Sequence, residues 1–323
     1  MNVAICTLFE GHYHYGLAAL TNSLYNKGYR GSFYAGYRGE LPKWASSATE
    51  NPSLKWIGAK TLLLAEGLKL HFLPVDTDRH FANYKPDFML ALWNGIASDA
   101  KQMFYFDPDI TICRSWNTFE EWASCGVAVS EDVNSPLQEL HPRRVAWRRF
   151  FSEKGIELKF KNETYVNSGF VGLTLENREL LVMWQRIQET IGYLIGGLNL
   201  SIFQDEHLVK LEQVGGPFMP FVTADQDALN AALEACNLNI SYIGKVGMGF
   251  QDGFILMHHA VGGPKPWRWH SIRKIMEGFV PRKVDVEYWK MANGPIITHS
   301  KFEIVWGRLS LKIALAIGRF YKK

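Results

Sequence analysis

The stretch Met103-Phe104-Tyr105-Phe106-Asp107-Pro108-Asp109-Ile110 decides how the rest of this 323-residue chain is interpreted. Its four apolar residues predict a buried strand, because such a run favours a pleated position covered on both faces. Asp107 and Asp109 follow where the strand ends, and Pro108 between them cannot donate to a sheet ladder. Chemistry in an open α/β sheet usually lies at this end of a strand. The two carboxylates repel each other, so the pattern indicates either a divalent-cation site or a plain strand-to-turn junction.

The overall composition is that of an ordinary globular protein, with 47% hydrophobic and 21% charged residues. The four cysteines show no C-x-x-C spacing, which argues against a zinc ribbon or a disulfide framework and favours a reducing compartment. Residues 1–9 are apolar but lack a basic start, so they predict a strand rather than a signal peptide. No uninterrupted apolar window reaches the length of a membrane span.

Charge is distributed unevenly along the chain. Residues 301–323 hold six basic residues and one acid, whereas the remainder is nearly neutral. A nucleic-acid-binding domain would need a broad basic surface, so this class is excluded. Residues 141–161 form a second basic and aromatic stretch, for which a solvated helix face and an acceptor-facing rim are the alternatives.

Alternation of apolar runs and amphipathic segments predicts a doubly wound α/β fold. The predicted strands are residues 2–8, 31–37, 68–75, 103–106, 110–113, 126–129, 164–173 and 254–259. The predicted helices are residues 17–25, 85–93, 176–191 and 224–236. Residues 191–203 are left open as a lid, an acceptor contact or a packing insert. The first loop has no G-x-G-x-x-G, so a dinucleotide fingerprint is absent.

Three further motifs carry polar groups at element ends. Asn167-Ser168-Gly169 falls in the middle of a predicted strand, where glycine often marks the close approach of a ligand. Asp225-Gln226-Asp227 opens a helix, with Asp225 as the predicted N-cap, and capping explains both acids but not Gln226. His259 ends a strand and is followed by a glycine pair and Lys265, an arrangement suited to a metal and a phosphate.

Together these motifs resemble glycosyltransferases of the GT-A fold, and most closely the retaining, metal-dependent enzymes of family 8. The matching features are the D-x-D of Asp107 and Asp109, the Asn-Ser-Gly and Asp-Gln-Asp motifs, and H-x-x-G-x-x-K-P-W from His259 to Trp267. They occur in the family's order over roughly residues 1–270. The resemblance implies a GT-A catalytic domain (1–270) with a doubly wound mixed sheet and helices on both faces, followed by a helical C-terminal extension (271–323).

The resemblance also implies the roles of individual residues. Asp107, Asp109 and His259 would hold Mn²⁺ or Mg²⁺. The donor would be a UDP-sugar. Besides Asp107, the residues that bind it would be Thr7, one of Tyr13 and Tyr15, Lys85, Gly262 and Lys265. Asn167, Asp225 and Gln226 would line the donor sugar as the catalytic group. Retention would proceed by front-face internal return, because the Gln226 amide is a poor nucleophile.

The basic residues of 301–323 recur at helical spacing, with apolar and aromatic residues largely on the other side. The alternatives are an amphipathic helix on an anionic bilayer and a terminal helix docked on the catalytic domain. The membrane alternative favours a lipid-linked glycan acceptor, a cytoplasmic location on the inner face of the cell membrane, and a role in cell-envelope glycan synthesis.

Two rival functions belong to other classes. The segment from Phe104 to Thr111 also fits the D-x-D-x-[TV] opening of haloacid-dehalogenase-type phosphotransferases, with Asp107 as nucleophile. Those enzymes need a late acidic pair, whereas the late strand here ends in histidines. A non-catalytic nucleotide-binding protein is the other rival.

Overall fold

A computed structural model describes residues 2–200, 218 and 220–321 of the chain. These residues form two compact units. The first unit comprises Met1–Cys6, Val75–Tyr105 and Phe119–Lys245, and the second comprises Thr7–Pro74, Phe106–Thr118 and Val246–Lys323. The predicted domain boundary near residue 270 stays a prediction.

Strands and helices alternate along the chain, as an α/β fold requires. The strands are β1 (Val3–Glu10), β2 (Gly31–Arg38), β3 (Thr49–Glu50), β4 (Lys60–Ala65), β5 (Leu68–Pro74), β6 (Gln102–Phe106), β7 (Ile110–Ile112), β8 (Val127–Ser130), β9 (Phe170–Thr174), β10 (Ile240–Ile243) and β11 (Met257–His259). The helices are α1 (His14–Asn26), α2 (Lys85–Asn94), α3 (Trp116–Ser124), α4 (Pro142–Ser152), α5 (Glu179–Gly192), α6 (Ala224–Ala235), α7 (Ser271–Met276), α8 (Lys283–Met291) and α9 (Lys301–Gly318).

Each unit contains its own run of neighbouring strands. In the first unit the order is β10, β8, β9, β6 and the first half of β1, with residues 3–6 of β1 parallel to β6 and β8 antiparallel to β9. In the second unit the order is β2, β5, β4 and β3, with only β2 and β5 parallel. A separate two-stranded sheet joins β7 to β11. The predicted α/β fold with a mixed sheet is confirmed.

The strand that carries the aspartate motif is completely buried, because all five of its residues are apolar, aromatic or, at Gln102, hydrogen-bonded. The first unit also buries Trp147, Trp184 and Tyr165. Strand β6 itself buries Phe104, Tyr105 and Phe106, and such close packing of aromatic side chains leaves the strand little freedom.

Two expectations from the sequence are wrong in detail, and part of a third segment is not described. Asn167, Ser168 and Gly169 lie before β9 rather than within a strand, because the Asn167 side chain accepts a hydrogen bond from the Gly169 amide at 2.9 Å and turns the chain. Thr223, not Asp225, is the N-cap of α6. The role of residues 191–203 has three alternatives from the sequence, and residues 201–203 of that segment lie outside the described residues.

The predicted solvated face of the basic stretch is wrong for two of its arginines. Arg143 is partly buried and pairs with Asp227, and Arg144 is buried and pairs with Glu234. Both acids lie on α6, so α4 packs its arginines towards another helix rather than towards water. Arg149, by contrast, is exposed.

The C-terminal helix α9 packs against α7 and α8 within the second unit. Its inward residues Ile304 and Leu311 share a cluster with Tyr288 and Trp289 of α8. The predicted C-terminal helix is therefore present, and it is docked. Among the described residues, every helix falls short of the length or apolarity that crossing a bilayer demands.

Candidate donor and metal site

Three side chains from distant parts of the sequence meet in the second unit. Asp107, Asp109 and His259 each offer a ligand atom, and these atoms lie within 4.8 Å of one another. The His259 Nε2 atom is 3.3 Å from Asp109 Oδ1 and 3.7 Å from Asp107 Oδ2. Asp109 and His259 are buried, whereas Asp107 is partly exposed. Two carboxylates and an imidazole, with Asp107 partly exposed, are a ligand set that fits a divalent cation.

The backbone explains how His259 reaches the acids. Strands β7 and β11 pair antiparallel with His259 opposite Ile110, and the Ala260 amide donates to the Asp109 carbonyl at 3.2 Å. His258, the preceding residue, lies instead against Gly249. Because side chains alternate along a strand, only the second histidine of the pair meets the acids.

Lys265 completes this cluster by a direct ion pair. Its Nζ donates to Asp109 Oδ2 at 2.6 Å and to the Ala260 carbonyl at 2.7 Å. Burial alone would raise the pKa of Asp109, but the adjacent His259 and Lys265 outweigh it and hold that pKa well below its usual range. Burial lowers the pKa of Lys265, and Asp109 more than compensates, so the net shift is upward. The carboxylate therefore stays ionised beside a protonated ammonium group.

Gly16 supports the aspartate loop, a role that no motif of the sequence indicated. A Cβ atom at this position would lie 2.4 Å from the Pro108 carbonyl oxygen and 2.8 Å from the Trp267 ring. Real Cβ atoms do not approach so closely, so only glycine lets α1 contact both the aspartate loop and the tryptophan of the His-to-Trp motif.

The residues predicted to hold the nucleoside have different surroundings. The Thr7 hydroxyl is buried and has no hydrogen-bond partner among the described residues. Tyr13 lies beneath Lys265, whose Nζ is 5.8 Å from the ring centroid, whereas Tyr15 stacks on His299. Gly262 has φ +60 and open space where a Cβ would stand. Of the two tyrosines, Tyr13 is therefore the one beside Lys265 and the cluster of Asp107, Asp109 and His259.

The residues predicted to line the donor sugar form a second cluster, in the first unit. Lys85 Nζ donates to Asp225 Oδ2 at 3.2 Å and to the Ser168 carbonyl at 3.1 Å. Gln226 Oε1 accepts from the Ser168 amide at 3.3 Å, and Asn167 Nδ2 donates to Asp132 Oδ2 at 2.7 Å. The structure thus brings Lys85, Asp225 and Gln226 together around Ser168, whereas the Asn167 side chain, next along the chain, bonds Asp132.

Two members of this second cluster were not predicted as site residues. The Ser168 hydroxyl donates to Asp225 Oδ2 at 2.7 Å, which links the Asn-Ser-Gly and Asp-Gln-Asp motifs. Asp132 is buried and accepts from Asn167. The sequence placed Asp132 after an apolar strand, a sign of an end-of-strand acid, but only the fold shows its partner.

Comparison with solved structures identifies the fold. An active-site mutant of LgtC aligns with 93% of this chain and 98% of its own, at 12% identity and a TM-score of 0.51. This chain shares the fold of LgtC. The motifs predicted a GT-A fold, and the match to LgtC agrees with it. The predicted architecture is therefore confirmed.

Two further solved structures are glycosyltransferases. The galactosyltransferase LgtC in complex with donor and acceptor sugar analogues covers 93% of this chain and 98% of its own, at 15% identity and a TM-score of 0.48. The bifunctional glycosyltransferase WbbM covers 90% at 12% identity and a TM-score of 0.47, and this chain spans only 51% of its length. The sequence matches no protein-family model and no curated protein.

Proposed function

We propose that this protein is a retaining, metal-dependent glycosyltransferase that moves a hexose from a UDP-sugar to a glycan acceptor. The observation that carries the proposal is the cluster of Asp107, Asp109, His259 and Lys265. It combines a donor set for a divalent cation with a protonated lysine. The shared fold with LgtC and the family resemblance of the motifs support the same conclusion.

The cluster is suited to a diphosphate leaving group. Asp107, Asp109 and His259 would hold Mn²⁺ or Mg²⁺, which when bound would stabilise the negative charge of the departing diphosphate. Lys265 adds a positive charge from the protein itself, and Gly262 leaves room for a phosphate beside its backbone. Tyr13 is the aromatic residue placed to contact the nucleoside, and Thr7 offers a buried hydroxyl.

The second cluster is suited to a sugar. Asn167, Asp225, Gln226 and Lys85 provide amide, carboxylate and ammonium groups, which are the partners that sugar hydroxyls need. Lys85 and the Ser168 hydroxyl both bond Asp225, so this carboxylate is fixed in orientation. An amide at Gln226 is a poor nucleophile, so the proposal assigns retention to internal return, in which the departing phosphate takes the acceptor proton.

The acceptor in this proposal is a lipid-linked glycan at the cytoplasmic face of the cell membrane. Helix α9 buries one side against α8 but exposes an apolar stripe on the other. This exposed stripe consists of Phe302, Val305, Trp306, Leu309 and Ile313. Lys301 and Lys312 on the same helix, and Arg319 directly after it, are exposed as well. Apolar and cationic groups exposed together match the surface of an anionic bilayer.

The test is metal-dependent hydrolysis of nucleotide sugars, measured as release of UDP from a panel of donors. We expect release with Mn²⁺ and loss of at least about 100-fold in Asp109→Asn, because the charge that holds the cation is removed while shape is kept. Glu50→Gln, at an exposed acid on β3, is the matched control and should leave the rate unchanged.

Two outcomes would contradict the proposal. Release of phosphate from sugar phosphates, abolished in Asp107→Asn, would support the phosphotransferase rival. Binding of UDP without turnover of any donor or sugar phosphate would support the non-catalytic rival.

A further inference from the structure

Trp267, the last residue of the H-x-x-G-x-x-K-P-W motif, is held in place by its six-membered ring. This ring lies against Gly16 of α1, where an added Cβ would come within 2.8 Å of it, and the tryptophan and Tyr288 ring centroids are 5.4 Å apart. Trp267 also packs against the buried cluster that α1, α8 and α9 share. From this fixed ring the indole Nε1–H donates to His12 Nδ1 at 3.0 Å. The motif is thereby tied to the loop that follows β1.

The bond from Trp267 determines which nitrogen of His12 carries the proton. An indole N–H can only donate, so His12 Nδ1 is the acceptor and the neutral ring carries its proton on Nε2. Burial and the Arg268 and Lys265 charges lower the pKa of His12, which favours that neutral ring. A protonated ring would set an N–H against the indole N–H, so the contact requires the neutral form.

The His12 ring in turn stacks on the ring of its neighbour Tyr13. The two centroids are 4.8 Å apart and the ring planes differ by 18°. Both residues belong to the single 3₁₀ turn Gly11–Tyr13, and neighbouring side chains on such a turn project about 120° apart because it has three residues per turn. A stack between them therefore needs a contact from outside the turn, and the indole of Trp267 supplies it. The Trp267 ring also meets the Tyr13 ring edge-on, at 5.8 Å and 75°.

We propose that His12 is a positioning residue, fixed by Trp267, that holds the Tyr13 ring in place for the nucleoside of the donor. This inference rests on the proposed function for its effect on nucleotide binding, but not for its effect on the Tyr13 ring. It also gives the tryptophan of the motif a role at a distance from the metal ligands, because Trp267 acts through His12.

His14, two residues further along the chain, makes the same kind of contact and is the matched control. Trp44 Nε1 donates to His14 Nδ1 at 3.2 Å, and the His14 and Tyr15 ring centroids are 4.1 Å apart. Tyr15 stacks on His299. His14 therefore repeats the bond from an indole to an imidazole, but among the described residues its ring contact is with Tyr15 and not with Tyr13.

The binding test measures the dissociation constants of UDP and of inorganic pyrophosphate by calorimetry, with Mg²⁺ present. We expect His12→Ala to weaken UDP binding about tenfold, because an aromatic contact to a base has an effect of this size. Pyrophosphate has no nucleoside, so its affinity should not change. His12→Phe keeps a ring without the acceptor and should recover part of the UDP affinity. His14→Ala should leave both dissociation constants unchanged.

A second measurement needs neither a ligand nor turnover. The order parameter of the Tyr13 ring C–H bonds, from ¹³C relaxation of tyrosine-labelled protein, should be the same in the wild type and in His14→Ala. It should fall by at least about 0.2 in His12→Ala, because the released ring moves on the picosecond-to-nanosecond timescale. The Tyr13 signal is assigned by its loss in Tyr13→Phe. His12→Phe should give an intermediate value, and it remains informative where His12→Ala fails to fold.

The outcomes separate the two proposals. A wild type that binds no nucleotide overturns the proposed function alone, and the order parameter of the Tyr13 ring then decides the positioning role. An equal order parameter in the wild type and in both His12 variants overturns the positioning role and leaves the transferase intact. So does an equal loss of UDP and pyrophosphate affinity in His12→Ala, or a loss of UDP affinity in His14→Ala as large as that in His12→Ala.

Discussion

Gly16 shows at the scale of one residue how closely α1 approaches the aspartate loop. We expect Gly16→Ala to weaken Mn²⁺ binding about tenfold, because the new methyl group must displace the Pro108 carbonyl and with it the neighbouring acids. The free energy of unfolding should fall by about 1–3 kcal/mol through overpacking. Metal titration by calorimetry and urea denaturation measure the two effects.

Gly28, just beyond the other end of α1, provides the control for this substitution. It has φ +93 and open space around it, so Gly28→Ala adds backbone strain without a steric contact. This variant should lose stability yet bind Mn²⁺ as the wild type does. An unchanged metal affinity in Gly16→Ala would show that the loop does not depend on the contact.

Sequence reasoning at the residue scale found the acids and the histidine but not their supports. Asp107, Asp109 and His259 carry an obvious chemical pattern, and the fold brings them together as expected. Gly16 and Ser168 act through a missing Cβ and one hydroxyl, and such contacts depend on which distant segment lies opposite. No local pattern encodes that.

At the scale of elements, long apolar runs were predicted well and short polar junctions were not. Strand β6 and helix α5 appear close to their expected limits because periodicity persists over several residues. The Asn-Ser-Gly segment was expected inside a strand, but a side-chain turn occupies it and the strand begins only after it, at Phe170. The arginines of α4 were expected in water because composition alone does not reveal the acids of α6.

Helix α9 gives a prediction at the same scale. The protein should cosediment with vesicles of phosphatidylcholine and phosphatidylglycerol, and less with pure phosphatidylcholine. Trp306→Ser with Leu309→Ser should reduce binding because the apolar stripe is lost. Lys301→Ala and Lys312→Ala should each reduce binding about fivefold, since a basic residue near an anionic surface contributes about 1 kcal/mol.

Leu63→Ser, at an exposed leucine on β4, is the matched control because it removes a similar apolar side chain elsewhere in the same unit. It should leave vesicle binding unchanged. Equal binding by all these variants, or equal binding to both kinds of vesicle, would refute the membrane contact of α9.

At the scale of the whole molecule, histidines make stability sensitive to acid. Several share a lowered pKa caused mainly by burial: His12, His14, His71, His258 and His299. For His71, between Ser32 and Thr61, burial and then Lys69 lower the pKa from 6.5 to about 4. The folded state therefore prefers the neutral imidazole. The contribution of His71 to the free energy of unfolding is fully present above pH 6.5 and is lost as the pH falls from there through about 4.

We expect this difference to remove roughly 3 kcal/mol from the free energy of unfolding as the pH falls from 6.5 to 4. His71→Gln, which keeps hydrogen-bonding groups without a titrating ring, should flatten that part of the pH profile in urea denaturation. His270→Gln, at an exposed histidine, is the control. A profile for His71→Gln that still falls as steeply as the wild type would contradict the assignment.

The ion pair of Lys265 with Asp109 affects how a metal ion and a nucleotide influence each other's binding. A cation that binds alone must compete with the Lys265 ammonium group, which already pairs with the Asp109 carboxylate. When the cation binds together with a diphosphate, the Lys265 ammonium group can pair with a phosphate oxygen instead. Metal and nucleotide are therefore expected to bind synergistically, each raising the affinity for the other.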